Sequence, residues 1–213
     1  MIPLPASFTQ SCGGPTLTIA QDGGIDVAGY GRITRSWSAN VDQWRALISS
    51  AASQYGVPEA WIASVIMQES GGNASVVSSD GGYGLMQITD ATLMHGHAKA
   101  DFLDPELNVN TGAQYLATLG AKCSWNPVCV AARYNSGGVY CWTGRNCSSP
   151  GLWNLNTACS YAENIVRGIN TAISRGYSGI GASVSASSLS GPLAGLIACA
   201  GALAAFVAYR RWR

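Results

Sequence analysis

An apolar helical run that ends on an acid, residues 58–70, constrains the fold of this chain most strongly. Pro58 suits the first turn of a helix, and Gly71 and Gly72 supply a stop. Glu69 then falls in the last turn, where the helix carbonyls and the apolar packing both disfavour an ionised carboxylate. We therefore predict a carboxyl group with a raised pKa that donates a proton near neutral pH. The alternative is a surface glutamate at a frayed helix end. The apolar side chains at helical spacing in this run are Trp61, Ile62, Val65 and Ile66.

The rest of the central region has the same helical period. Helical spacing begins at Ser38, and an aspartate, Asp104, is placed to cap one of the later helices. The segment 71–84 is rich in Gly, Ser and Asp, and it predicts a small β excursion or turn beside Glu69. We therefore predict a mainly α fold. The further predicted helices are residues 89–94, 105–119, 127–135 and 157–173.

Composition divides the chain into five parts. Residues 1–37 form an N-terminal extension rich in Gly, Pro and Thr that lacks the pattern of a conventional signal peptide. Residues 38–175 are the predicted domain, and residues 176–192 have the composition of a flexible linker. Residues 193–209 are uncharged and long enough for a single transmembrane helix, with a buried helix of the domain as the alternative. The basic tail 210–213 predicts a cytoplasmic C-terminus.

The charge of the chain argues against nucleic-acid binding. Charged residues make up 11% of the chain, against roughly 25% in a typical soluble domain. Three of the 12 basic residues lie in the C-terminal tail, so nine remain against the 11 acidic residues before residue 190. A domain with this balance has no basic face for phosphates, and we expect no nucleic-acid partner.

Seven cysteines divide into six before residue 190 and Cys199 in the apolar run. An even set favours disulfides and an oxidising compartment, although buried thiols are the alternative. Two pairs enclose short loops and favour local pairing, while the full connectivity stays open. No metal site is predicted, because the chain has no Cys-x-x-Cys and its two histidines, His95 and His97, lie in one Gly-containing loop. The locally spaced pairs are Cys123 with Cys129 and Cys141 with Cys147.

Three short sequences follow one another in a fixed order: Glu69-Ser70, residues 84–88 (Gly-Leu-Met-Gln-Ile) and residues 131–138 (Ala-Ala-Arg-Tyr-Asn-Ser-Gly-Gly). Their order and spacing resemble the soluble-lytic-transglycosylase (SLT) family, relatives of goose-type lysozyme, over roughly residues 41–175. The resemblance implies a lysozyme-like α+β fold that is mainly α. Arg133 and Ser136 depart from the commonest family pattern.

The resemblance also implies an activity. Members of this family cleave the glycan of bacterial peptidoglycan, and Glu69 matches their general acid. The same carboxylate then accepts the proton of the C6 hydroxyl of N-acetylmuramic acid, which closes a 1,6-anhydro ring, so no cofactor and no second carboxylate are needed. Asp80 or Asp90 near the site would instead allow hydrolysis by a positioned water.

The resemblance assigns substrate contacts as well. Gly84 allows close backbone approach, and Met86 and Gln87 line the sugar cleft. Tyr134 contacts Glu69 or the sugar, and Tyr161 lies near Glu69. A core tyrosine is the alternative for Tyr161, and core packing is expected for Leu85 and Ile88. The predicted substrate-binding residues are Ser70, Gly84, Met86, Gln87, Tyr134, Asn135 and Tyr161.

These observations together predict a membrane-anchored peptidoglycan lytic transglycosylase whose catalytic domain lies outside the cytoplasm. We expect its partners to be glycan strands, a lipid bilayer through residues 193–209, and other membrane or virion proteins. A phage virion enzyme that opens the cell wall during genome entry is favoured. The alternatives are a hydrolytic muramidase, a bacterial wall-remodelling or secretion enzyme of the inner membrane that faces the periplasm, and a non-catalytic glycan-binding or structural membrane protein.

Overall fold

A computed structural model describes residues 7–8, 15–90, 93–136 and 157–181 of the 213-residue chain. Five α-helices and one small sheet are found in these residues, with two short 3₁₀ helices at Ala39–Trp44 and Lys99–Leu103. The helices are α1 Arg45–Tyr55, α2 Glu59–Glu69, α3 Pro105–Lys122, α4 Pro127–Ser136 and α5 Thr157–Ser174.

Helix α2 lies at the centre of the domain. It packs against α5, α1 and α3, and α4 packs against α5 in turn. Every residue from 60 to 66 is buried, so the helix is enclosed on all sides and not only on the face predicted from the sequence. Ser64, a polar residue in this run, is satisfied because its hydroxyl donates to the Ile165 carbonyl of α5 at 2.9 Å. The central helix therefore places its last residue, Glu69, at the edge of the core.

The predicted helix boundaries are largely confirmed. Ser38 accepts a hydrogen bond from the Asn40 backbone, and Asp104 accepts one from the Leu107 backbone at 2.8 Å. Helix α2 ends at Glu69, as expected from the two glycines that follow it. Gly72 has a φ of 87°, and a Cβ atom there would overlap the backbone of Asn40. Glycine is required at this position for both reasons.

The helix predicted at residues 89–94 is wrong. Residues 89, 90, 93 and 94 are not helical, and the nearest helix in the described chain is the 3₁₀ helix Lys99–Leu103. His95 and Gly96, with φ of 46° and 87°, lie in the left-handed region directly after this segment. The segment therefore turns where the apolar spacing suggested a helix.

The N-terminal region contributes to the same body as the helices. Strands β1 Ser7–Phe8, β2 Leu17–Ile19 and β3 Ile25–Val27 form an antiparallel sheet in the order β1-β2-β3. The Asn170 side chain of α5 accepts from the Ile25 backbone at 2.7 Å and donates to the Ile25 carbonyl at 2.8 Å. Leu17, Ile25 and Val27 are almost fully buried. Part of the region predicted as an extension is therefore packed on the helical core.

The chain also continues past α5 along the domain surface. The Ala60 backbone donates to the Ser178 carbonyl at 2.9 Å, and the Tyr177 hydroxyl donates to Asp42 at 3.0 Å. The first contact lies at the first turn of α2, and the second joins this segment to the 3₁₀ helix that precedes α1.

The predicted local disulfide between Cys123 and Cys129 is confirmed, and it joins the end of α3 to the first turns of α4. Cys12, Cys199 and the predicted pair Cys141 and Cys147 lie outside the described residues. None of the helices in the described ranges is long and apolar enough to cross a membrane. The predicted transmembrane helix 193–209, the basic tail 210–213 and the linker beyond residue 181 also lie outside these ranges.

Candidate active site

Glu69 occupies a half-buried position at the C-terminal end of α2. The hydroxyl of Tyr161, on α5, donates a hydrogen bond to Glu69 Oε1 at 2.5 Å. Burial raises the pKa of Glu69 to about 7, the Tyr161 hydrogen bond opposes that rise, and the charge of Asp80 adds to it. Because desolvation outweighs the hydrogen bond, a large fraction of Glu69 is protonated near neutral pH. The pKa shift expected from the sequence is present.

Tyr134, on α4, lies near the same carboxyl group. Its hydroxyl donates to the Met86 carbonyl at 2.9 Å, and its ring centroid is 5.5 Å from that of Tyr115. Burial and the nearby Glu69 charge raise the pKa of Tyr134 well above that of a free tyrosine. Tyr161, which is only 5% exposed, has a pKa raised by the same two causes. Both phenols therefore stay protonated and act as hydrogen-bond donors across the physiological pH range.

Asn108, which was not predicted from the sequence, positions the turn beside Glu69. The Met86 backbone donates to Asn108 Oδ1 at 2.8 Å, and Asn108 Nδ2 donates to the carbonyls of Tyr83 and Phe102 at 2.7 and 2.8 Å. This side chain is fully buried on α3. An amide among the apolar residues of a helix was the available signal, because a buried amide needs several partners.

Ser70 connects the end of α2 to the same turn. Its hydroxyl lies 2.8 Å from the Leu85 carbonyl and 3.2 Å from the Ile66 carbonyl, and it accepts from the Gly72 backbone at 3.2 Å. The hydroxyl has one proton to donate, so the shorter contact to Leu85 is the stronger one. Ser70 was predicted to bind substrate, but its hydrogen bonds are internal and fix Glu69 relative to the turn.

Met86 and Gly84, which were also predicted to contact the sugar, are buried within the protein. The Met86 side chain is fully buried and packs against Gly112 of α3, so it belongs to the core and lines no open surface. Gly84 is buried with a φ of 73°, and a Cβ atom there would overlap the Phe102 carbonyl and the Asn108 amide. The close backbone approach that Gly84 permits is therefore to α3 within the protein. Leu85, as expected, is in the core.

Gln87 and Asn135, the remaining predicted substrate contacts, differ in which polar groups they leave free for a substrate. Gln87 has a φ of 51° and is half-buried, and its Nε2 donates to the carbonyls of Gly84 and Val76 at 2.8 and 3.1 Å. Its amide nitrogen is thus used within the protein, which leaves the amide oxygen as the group for substrate. Asn135 follows Tyr134 at the end of α4 and is exposed.

Asp80 lies on a tight turn that faces Glu69. Residues Val77 and Tyr83 form a β bridge, and the Ser78 backbone donates to the Gly82 carbonyl at 2.9 Å. Asp80 is exposed at this turn, and its charge still raises the pKa of Glu69. Within the described residues, no group of three or more His, Cys, Asp or Glu side chains is arranged to hold a metal ion. The site thus consists of one carboxyl group with a raised pKa, two phenols near it, and a second acid whose charge acts on it.

Known proteins resemble this domain in sequence. The family model of the Transglycosylase SLT domain matches residues 46–145. An endo-type membrane-bound lytic murein transglycosylase A from Citrobacter koseri is 33% identical over 98 residues, which are 39% of this chain and 48% of the relative. The soluble lytic murein transglycosylase of Escherichia coli K12 is 33% identical over 101 residues, which are 42% of this chain and 16% of the relative. The chain thus spans less than half the length of either relative.

Solved structures resemble the fold. The 70-kDa soluble lytic transglycosylase from Escherichia coli has a TM-score of 0.53 at 24% identity, over 64% of this chain and 25% of that chain. The 70-kDa soluble lytic transglycosylase in complex with bulgecin A has a TM-score of 0.54 at 25% identity, over 66% of this chain and 26% of that chain. The mainly helical lysozyme-like fold is confirmed. Over residues 46–145, the chain is similar in sequence to the Transglycosylase SLT domain family.

Proposed function

We propose that this domain is a peptidoglycan lytic transglycosylase with Glu69 as its single acid and base. The observation that carries the proposal is the Glu69 carboxyl group, whose pKa is raised to about 7 and which is held by the Tyr161 hydroxyl at 2.5 Å. A pKa near the working pH lets one group donate a proton in one step and accept one in the next. Two of the similar proteins described above are lytic murein transglycosylases, which supports the same substrate class.

The hydrogen bond from Tyr161 determines which oxygen of Glu69 reacts. Because Oε1 accepts from the Tyr161 hydroxyl, the acidic proton of the neutral carboxyl group resides on Oε2. In the proposed reaction, this proton passes to the oxygen that links N-acetylmuramic acid to N-acetylglucosamine, and the β-1,4 bond breaks as positive charge develops at the sugar ring. The resulting carboxylate then takes the proton of the C6 hydroxyl, which attacks the anomeric carbon and closes the 1,6-anhydro ring.

The other site residues support the position of Glu69 in this proposal. Tyr134 and Ser70 both bond to carbonyls of the turn formed by residues 84–87, and Asn108 holds the same turn from α3. We infer that the substrate meets the Tyr134 ring, the Gln87 amide oxygen and the exposed Asn135 side chain. A phenol ring suits this role because it packs on a sugar face and keeps a polar edge.

Replacing Glu69 by Gln tests the proposal, because the substitution keeps the shape of the side chain and removes its proton. We expect cleavage of purified cell wall to fall by at least about a hundredfold, the usual contribution of general acid–base catalysis. Binding of glycan fragments is expected to persist. Glu106→Gln is the matched control, since Glu106 is exposed at the start of α3. Unchanged wall clearing by the Glu69 variant would rule out the proposal.

A hydrolytic muramidase is the second candidate, and Asp80 favours it. The charge of Asp80 acts on Glu69, and a paired carboxylate that positions a water is what inverting glycosidases use. Mass spectrometry of the wild-type products separates the two reactions, since transglycosylation leaves 1,6-anhydro ends and hydrolysis leaves reducing ends.

Asp80→Asn separates the same two reactions by rate. In a transglycosylase, the variant stays active, and the pKa of Glu69 falls because a neighbouring negative charge is lost. In a hydrolase, the variant loses most of its activity, because the water is no longer activated.

We infer further that residues 193–209 anchor the domain to a lipid bilayer and hold it outside the cytoplasm. The support is an uncharged run of membrane-spanning length followed by three arginines in the last four residues. The Cys123–Cys129 disulfide supports an oxidising compartment. Removal of residues 189–213 is expected to move the protein from the membrane fraction to the soluble fraction with wall cleavage intact. Loss of cleavage by the shortened protein would contradict a simple tether.

Local opening of the cell wall during phage genome entry is the biological use we propose for this activity. A tethered wall-cleaving domain suits a virion with a lipid membrane, because cleavage is then confined to the point of entry. Fractionation of purified virions tests the location, with the protein expected in the virion membrane. Recovery only from the inner membrane of uninfected bacteria would favour the remodelling or secretion role.

A further inference from the structure

Arg133 carries a polar atom with no hydrogen-bond partner among the described residues. Its Nε is buried, and it is the one buried side-chain nitrogen or oxygen in the described part of the chain that lacks a hydrogen bond. No acidic side chain within residues 15–90, 93–136 and 157–181 forms an ion pair with Arg133. A guanidinium group keeps its charge at every relevant pH, and an unpaired buried donor costs free energy. The terminal nitrogens of this half-buried side chain are not among the buried atoms and form no hydrogen bond with the described residues, so they remain available as charged donors.

Arg133 lies next to the site in both the chain and the fold. It precedes Tyr134 on α4, so the two side chains leave the helix about 100° apart around its axis. Burial and the charge of Asp90 raise the pKa of the Tyr115 phenol, and the charge of Arg133 opposes that rise. The Tyr115 ring in turn contacts the ring of Tyr134, and the pKa of Tyr134 is raised by burial and by the charge of Glu69. The guanidinium group therefore borders the surface on which the glycan is proposed to lie.

The chemistry of the proposed substrate suggests what this cation meets. The sugar rings of peptidoglycan carry hydroxyl and acetamido groups and no charge. Its negative charges are carboxylates that are attached through the lactyl ether of N-acetylmuramic acid, either along the peptide stem or on the lactyl group itself where no stem is attached. A guanidinium group is suited to a carboxylate, because its planar fork donates two parallel hydrogen bonds.

We propose that Arg133 binds a carboxylate that the substrate carries through the lactyl group of N-acetylmuramic acid, and thereby selects charged wall glycan over neutral glycan. This inference rests on the proposed function. It makes Arg133 a specificity-determining residue, while proton transfer remains with Glu69.

Binding measured in a Glu69→Gln background tests the inference without turnover. Three probes are compared by calorimetry: a wall tetrasaccharide with peptide stems, the same glycan stripped of its stems by an amidase, and chitotetraose, which has no carboxylate. We expect Arg133→Gln to weaken binding of one or both carboxylate-bearing probes by about 10- to 100-fold, the range of a charge-assisted hydrogen bond. Binding of chitotetraose is expected to stay unchanged.

The pattern across the probes identifies the source of the carboxylate. Loss of affinity for the stem-bearing glycan alone places the contact on the peptide stem. A loss for the stripped glycan alone places it on the free lactyl carboxylate, and a loss for both shows that either group is accepted. Unchanged affinity for both glycans, or an equal loss for chitotetraose, would overturn the inference.

Two control variants distinguish a specific contact between Arg133 and a carboxylate from non-specific attraction between charges. A salt titration covers the case in which the Arg133 variant does not fold. Arg32→Gln removes the same charge from a guanidinium that is already paired with Asp22 at 2.5 Å, and it is expected to bind every probe as before. Arg133→Lys keeps the charge but not the fork, so we expect an intermediate affinity for the carboxylate-bearing probes. If Arg133→Gln does not fold, the protein with Arg133 intact is titrated in rising salt. Its affinity for charged glycan must then fall while that for chitotetraose holds, or the inference fails.

The same measurements keep this inference apart from the proposed function. A protein that cleaves no cell wall but loses carboxylate affinity on Arg133→Gln would contradict the proposed reaction and retain the binding site. A protein that cleaves cell wall, but whose Arg133→Gln variant binds every probe with unchanged affinity, would support the proposed reaction and contradict the carboxylate site.

Discussion

Glu69 loses its proton less readily than an ordinary glutamate. Burial at the end of α2 disfavours the charged carboxylate more than the Tyr161 hydrogen bond favours it. Burial is the largest influence on its pKa, and the Tyr161 hydrogen bond is an opposing one. Two consequences for measurement follow at the scale of this residue, one in the stability of the domain and one in its pH profile.

Stability is expected to fall as Glu69 ionises. The folded-state pKa of about 7 lies above the ordinary value of 4.5, so the folded protein binds more protons than the unfolded chain between these pH values. The free energy of unfolding therefore decreases from about pH 4.5 to about pH 7 and is level above it. Glu69→Gln removes this loss, and we expect the variant to be more stable than wild type at pH 9 by on the order of 2–3 kcal/mol.

Denaturant unfolding of both proteins at pH 4 and pH 9 measures this difference. The two proteins are expected to have similar stabilities at pH 4, where the carboxyl group is protonated in both states. A variant that is less stable than wild type at pH 9 would show that the ionised Glu69 is favourably solvated and that its burial has little energetic effect.

Tyr161→Phe is expected to shift the activity profile towards higher pH. The hydroxyl of Tyr161 lowers the pKa of Glu69, so its removal raises that pKa further above the ordinary glutamate value. Activity at acidic pH should also fall by roughly 10- to 100-fold, since the carboxyl group loses its positioning partner. Steady-state rates between pH 4 and pH 9 measure both effects. Tyr55→Phe, at the end of α1, is the control, and a Tyr161→Phe profile identical to wild type would remove Tyr161 from the site.

At the scale of elements, the turn of residues 84–87 is held by a helix that touches no part of the proposed substrate. Asn108 on α3 makes three hydrogen bonds to the backbone around this turn. Asn108→Ala leaves one donor and two acceptors unpaired in the core, which should cost about 3 kcal/mol or more in unfolding free energy. Thermal unfolding measures this cost. Asn126→Ala, which removes a helix-capping side chain at the start of α4, should cost only about 1 kcal/mol. Equal losses in the two variants would contradict a special role for Asn108.

The disulfide between Cys123 and Cys129 fixes the position of the start of α4 relative to the end of α3. Its removal by paired serine substitutions is expected to lower the free energy of unfolding by about 2 kcal/mol. This is the entropic contribution of a disulfide that closes a short loop in the unfolded chain. Because α4 carries Tyr134, we also expect a loss of wall cleavage before the domain unfolds in denaturant. Cys199→Ser is the control for the loss of a thiol outside the domain. No change in stability would mean that the bridge is absent from the folded protein in solution.

At the scale of the whole molecule, the N-terminal segment completes the packing of the helical domain. Leu17, Ile25 and Val27 cover α5, and Asn170 has its hydrogen bonds with that segment. Deleting residues 1–37 is therefore expected to destabilise the domain by several kcal/mol, because apolar area is exposed and a buried amide is left unpaired. Thermal unfolding of the shortened chain measures it. Deletion of residues 189–213 is the matched truncation and should leave the melting temperature within about 2 °C of wild type.

The position of Glu69 at a helix end, most helix boundaries and one disulfide could be predicted from the sequence, because helical period, caps and short cysteine spacings are local signals. The roles of Met86, Gly84 and Ser70 could not. Spacing along the chain shows that a residue is near the site, but which way the turn faces depends on α3, about 20 residues away, and on the Asn108 amide.

The sequence by itself determined a helical domain with one acid at the end of its most apolar helix, since both properties follow from the order of residues over a few turns. Only the tertiary structure decided how strongly that acid holds its proton. The desolvation of Glu69, the Tyr161 hydrogen bond and the charge of Asp80 come from three segments that are distant in the chain. Their sum is a property of the packing, because electrostatic and hydration energies depend on distances in space.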